Sequence, residues 1–161
     1  MSPDTPIPNP AEDAHLIVLG TKLEKAMELR GAGDSAGAHA LLREILLVDP
    51  RLAEPRLELA HIAAEREDYE EAEEQARAAL EILQRGGQWT ANLSHKAILS
   101  FATNLVAEVV YRSIQDGDLI FRDAAKFNAR WNEAAALFEK AAELDPTNED
   151  AAYGRIHVRP R

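Results

Sequence analysis

The sequence predicts an all-α chain in which helix pairs stack side by side into a solenoid of about three repeats, closed by a short C-terminal helix. Three observations predict it. The stretch ending at Pro50 lies on the stretch ending at Gln84 at an offset of 34 residues, a period used by stacked helix-turn-helix arrays. Small residues recur at matched places, Ala26 with Ala60 and Ala38 with Ala72, where paired helices must cross at about 8–10 Å between axes. Apolar residues spaced three and four apart mark one buried stripe on each second helix.

The elements follow in order. Residues 1–11, with four prolines, read as a disordered extended tail, lacking the basic start and apolar stretch of a secretory signal. Residues 12–161 read as one domain. Its first repeat, about 15–50, turns at Gly33-Asp34-Ser35 and buries Leu41, Leu42, Ile45 and Leu46. The second, about 51–86, turns at Glu67-Asp68-Tyr69 and buries Ala72, Ala76, Ala79, Leu80 and Leu83. The third spans about 90–146 and is clearest from Ala129 to Pro146, where Trp131, Ala134, Phe138 and Ala141 alternate bulky and small. A last helix, 147–158, carries Tyr153, Ile156 and Val158, so it either caps the array or offers an edge to a second subunit.

This pattern resembles the tetratricopeptide repeat family, whose 34-residue units place small residues at the helix crossing and close on Asp-Pro, as Leu47-Val-Asp-Pro50 and Glu143-Leu-Asp-Pro146 do here. The resemblance implies a right-handed α-solenoid. The third repeat departs from it, because Trp131 follows Tyr69 by 62 residues, 28 more than one repeat. One account lengthens its first helix to about 91–115 and leaves 116–128 as an inserted linker. The other makes 119–129 a helix of the repeat and the long helix an addition. Leu119, Ile120, Phe121 and Phe127 in the insert must be buried against something. They either pack on the long helix or, through Leu119, Ile120 and Phe121, form a lip over a binding groove.

The resemblance also implies that the first helix of each pair lines a concave surface that receives a peptide or helix. In that register Leu23, Glu24, Met27 and Arg30 of the first repeat face the groove, with Glu54, Leu57, Glu58, His61 and Glu65 of the second. A carboxylate clamp, the family's grip on chaperone C-termini, needs lysine and asparagine donors. Leu23, Met27 and Glu58 stand there instead. An apolar ligand with basic flanks suits such a groove better, although the acids could equally be solvated.

Composition narrows the function. There are 28 acidic and 18 basic residues, a net charge of -10, which opposes nucleic acid binding at long range. Zero cysteines exclude disulfides and thiolate metal sites and point to the cytoplasm. The apolar stretch 91–115 is broken by His95, Lys96, Asn104, Glu108 and Arg112, too polar for a bilayer span. The acidic run Glu67–Glu74 opens a helix, where negative charge complements the macrodipole. Asp116-Gly-Asp118 lacks the later ligands of a calcium loop. The five histidines are scattered, with no metal pair. No nucleophile elbow, phosphate loop or dinucleotide fingerprint occurs. The expectation is therefore a protein-binding adaptor with no catalytic residues, cofactor or metal. The alternatives are a chaperone for a secreted substrate, or a structural subunit that assembles through its terminal helix.

Overall fold

The structure is a computed structural model that describes residues 14–90, 92–115 and 117–161. The proline-rich tail expected at 1–11 lies outside them. The described residues form eight helices in order: α1 (His15–Gly31), α2 (Ser35–Val48), α3 (Glu54–Glu65), α4 (Tyr69–Gln84), α5 (His95–Gln115), α6 (Leu119–Arg122), α7 (Ala124–Leu144) and α8 (Glu149–His157). The described residues contain no strand. Helices α1 with α2, α3 with α4 and α5 with α7 form antiparallel pairs, and α8 docks on α7 and α5.

The 34-residue period is visible in the turns. Gly33 and Glu67 both have positive φ, 89° and 61°, and in each case the next amide, Asp34 or Asp68, donates to a carbonyl five residues back, Leu29 or Ala63. This reverse turn ends one helix. The same aspartates then start the next, accepting from Gly37 N and Glu71 N, which satisfies amides that have no partner within the helix. Asp123 and Asn148 cap α7 and α8 in the same way. Ala26, Ala38, Ala60 and Ala72 are all at most 1% exposed, so the helices meet where the sequence placed its smallest side chains.

Two Asp-Pro closures share a geometry, Asp49 and Asp145 both ending their helices in extended backbone. Asp49 is the more tightly held. Its carboxylate accepts from Arg51 Nη2 at 2.7 Å and from the His15 ring at 2.8 Å, joining the two open ends of the first pair. Burial pushes this carboxyl up, but the hydrogen bonds from Arg51 and His15 outweigh it and hold the pKa at about 2.

The third pair corrects the expected insert. Its first helix begins at His95 rather than 91, with Ser94 Oγ accepting from Ala97 N. The segment 116–128 is not a plain linker. It contains the one-turn helix α6 and, from Ala124 onward, the first turn of α7. The extra residues lengthen both helices: α5 has 21 residues against 17 in α1 and 12 in α3, and α7 has 21 against 14 in α2 and 16 in α4. Contrary to the expectation that its polar residues bar a bilayer span, helix α5 is apolar enough by length and composition to cross one; 61% of that window is buried in the stack, sandwiched between α4 and α7.

Helix α8 packs closely. A Cβ on Gly154 would stand 2.2 Å from the Phe138 ring of α7, so only glycine permits this approach. Ser100 Oγ donates to Ala141 O at 2.6 Å and accepts from Asn148 Nδ2 at 2.9 Å, pinning the start of α8 to α5 and α7.

Candidate functional site

The first helices of the pairs, α1, α3 and α5, together with α8, form one face. Its α1–α3–α5 portion holds a pocket of about 240 Å³, lined by Leu23 and Met27 of α1, Glu54, Leu57 and Glu58 of α3, Thr90, Asn92 and Leu93 of the connecting segment, and Ile98 and Phe101 of α5. Five of these ten were anticipated as groove residues from repeat register: Leu23, Met27, Glu54, Leu57 and Glu58. Periodicity explains the convergence, since Leu23 and Met27, or Leu57 and His61, are one turn apart on a single helical face. Met27, Leu93 and Phe101 are 46%, 48% and 39% exposed, so large apolar side chains are left open to a ligand.

The acids play other parts than a free acidic lining. Glu54 is 7% exposed, and its Oε2 accepts from Trp89 N at 2.9 Å and Thr90 N at 2.6 Å. It fastens the α4–α5 connection over the pocket. Burial pushes its carboxyl up, and the hydrogen bonds from the Thr90 and Trp89 amides only partly offset that. Arg30 sits between Glu58, 2.8 Å away, and Glu65, 3.5 Å away. The contact with Glu58 lies off the hydrogen-bond axis, so it is a charge pair rather than a directed bond. One cation thus offsets two anions at the rim. His61 stands between α3 and α5 with its ring 5.5 Å from that of Phe101, and burial pushes its pKa down, so the ring is neutral at physiological pH.

Trp89 packs into the core cluster of the first repeat, its ring 3.8 Å from where a Cβ on Gly20 would lie. It is a wall of the scaffold. Three of the six acids in the run Glu67–Glu74 are likewise engaged in structure. Asp68 caps α4, Glu71 pairs with Arg43, and Glu73 binds Arg77 and Arg130.

The suggested lip does not reach this pocket. Helix α6 follows the far end of α5, and Leu119 lines a separate depression with Ile114, Arg122 and Arg130. From Phe101 to Gln115 is about 20 Å along the helix. Phe121 is 88% exposed, neither packed nor over the groove, and Ile120 is partly covered at 36%, whereas Phe127 is buried and stacks on Trp131 with ring centroids 5.9 Å apart.

The residues that register reasoning missed belong to the third repeat, the segment before it and the C-terminal helix α8. Phe101 and Glu108 are seven apart, two turns of one α5 face, and Asp150, Tyr153 and His157 repeat that spacing on α8. The signal was present as periodicity, but the uncertain register across the insert hid which face it marked. Among the described residues no three His, Cys, Asp or Glu side chains converge as metal ligands would.

The same architecture occurs in a solved structure, the N-terminal domain of stress-induced protein-1 (STI-1) from C. elegans, at a TM-score of 0.64 and 10% identity, covering 90% of this chain and 98% of that one. At that identity the likeness is one of fold, and the fold is the tetratricopeptide-type helical stack. No family model matches the sequence, and no curated protein is similar to it at a significant level.

Proposed function

We propose that this chain is a non-catalytic, cytoplasmic protein-binding module whose concave face receives a segment of a partner protein, seating an apolar side chain between α1, α3 and α5. The observation that carries this reading is the pocket of about 240 Å³ with Met27, Leu93 and Phe101 standing open at its mouth. Exposed apolar side chains around a formed depression are where a partner's anchor gains most by leaving water. Basic residues flanking the anchor would meet the chain's net charge of -10. The tetratricopeptide-type fold supports a binding role by analogy.

The test compares proteins retained by the wild type with those retained by Phe101→Ala and Met27→Glu, identified by mass spectrometry, with melting curves confirming that both variants fold. Partners lost from both variants support the groove. An unchanged set of partners removes it.

A second reading, assembly through the terminal helix, draws on Tyr153 and Ile156 of α8, which are 66% and 57% exposed. Light scattering that reports a monomer at high concentration would dismiss it.

A further inference from the structure

We propose that the concave face carries a second subsite, between α5 and α8, that takes a guanidinium or ammonium side chain of the bound segment about 10–15 Å from the apolar anchor. This deepens the groove reading above and rests on it.

The subsite is a pocket of about 410 Å³ whose walls include the carboxylates of Glu108 and Asp150 and the rings of Tyr111 and Tyr153. Neither carboxylate has an ion-pair partner among the described residues. Glu108 receives one hydrogen bond, from Asn104 Nδ2 at 3.1 Å, and Asn104 Oδ1 beside it is buried with no partner. Arg112 also lines the pocket and its charge is felt by Glu108, but it makes no ion pair there: its Nη2 donates to Ala64 O at 3.3 Å, and its guanidinium lies 5.3 Å from the Tyr69 ring centroid. The His157 ring rests on Tyr153 at 4.0 Å between centroids. The pocket therefore presents two unpaired anions and aromatic faces, the surroundings that hold a cation by charge-assisted hydrogen bonds and ring quadrupoles. Burial pushes the Glu108 carboxyl up and Asp150 adds to that, while the hydrogen bond from Asn104 and the charge of Arg112 only partly offset it. An incoming cation would relieve both.

The contrast with the other end of the face is what gives selectivity. There Arg30 already offsets Glu58 and Glu65, and the pocket is apolar. From Ile98 and Phe101 to Glu108 is seven to ten residues of α5, about 10–15 Å at 1.5 Å per residue. An extended ligand covers that in about three to five residues, and a helical one in about seven to ten.

The test uses the full chain as bait for a displayed library of random linear 12-residue peptides, followed by calorimetric titration of a selected peptide and its Arg/Lys→Ala counterpart. The expected peptides pair an apolar residue with Arg or Lys at one of those spacings, and losing the basic residue weakens binding to the wild type about tenfold. The Glu108→Gln/Asp150→Asn double variant should bind both peptides alike. A Glu139→Gln/Glu143→Gln control, carrying the same charge change on exposed positions of α7, should keep the discrimination.

Peptides that need Phe101 but are indifferent to Glu108 and Asp150, or a control that erases the discrimination equally, overturn the subsite and leave the groove standing. A library whose binders are all insensitive to Phe101→Ala, or that yields none, overturns both.

Discussion

Replacing Gly154 by alanine should damage the protein although alanine is the better helix former. The added Cβ would lie 2.2, 2.5 and 2.7 Å from Cδ1, Cε1 and Cγ of Phe138, where carbon atoms in contact stand about 3.5–4.0 Å apart. About 1.3 Å must be found. Phe138 is 3% exposed within the core of the second and third pairs, so its ring cannot swing away, and α8 is held at its start by Asn148 on Ser100. Overpacking of this kind costs about 1–3 kcal/mol, from which about 1 kcal/mol of helix propensity must be subtracted. An overlap this large belongs in the upper part of that range, about 2–3 kcal/mol, so the net expectation is a loss of about 1–2 kcal/mol, equivalent to about 2–8 °C in melting temperature for a chain of this size. Urea denaturation followed by circular dichroism measures it. Phe138→Leu in the Gly154→Ala background should recover part of the loss, in a double-mutant cycle with a coupling clearly different from zero. A Gly154→Ala protein as stable as the wild type would refute the claim that this contact fixes α8.

Two further outcomes follow from the backbone and from charge. Glu67→Gly should stabilise the protein by about 0.5 kcal/mol, because its φ of 61° costs a non-glycine residue about 1–2 kcal/mol against about 0.4–1 kcal/mol of added unfolded-state entropy; a lower urea midpoint would count against it. Asp49, held at about pKa 2 from an ordinary 3.8, contributes stability that is fully present above pH 3.8 and is lost as pH falls through about 2. Asp49→Asn should therefore be less stable at pH 7 and lose less on acidification, and parallel melting curves of the two proteins across pH 2–6 would contradict this assignment.

The helical stack was legible because its determinants are local and repeat: alanines where axes cross, aspartates where helices start, and apolar residues at helical spacing. The insert was not, because Leu119-Ile-Phe-Arg-Asp-Ala-Ala-Lys-Phe127 satisfies a linker and a helix start equally well. What decides is Asp123, which accepts from Lys126 N at 3.0 Å and starts α7 seven residues before Trp131. In the groove, side-chain type predicted the apolar positions better than the charged ones. Leu23, Met27 and Leu57 are wall residues by helical face alone. Whether Glu54 faces solvent or amides depends on where the Gln88–Thr90 segment passes, which is a long-range fact and left no trace in the local pattern.

The core is divided in a way that bears on how the groove behaves over time. One apolar cluster joins α1 and α2 to Leu52, Leu59 and Ile62, and a separate, larger one binds α3 and α4 to α5 and α7. On the outer side of the first pair no described helix packs, and Ile17 and Val18 are 75% and 64% exposed. In a linear stack the end unit opens on its own far more often than the whole molecule unfolds. Leu23 and Met27, one wall of the apolar pocket, ride on that end unit. An opened first pair has no pocket to offer, so a segment seated there acts as a clasp, drawing free energy from its contacts to keep α1 and α2 closed and slowing amide exchange in α2, a helix it does not touch.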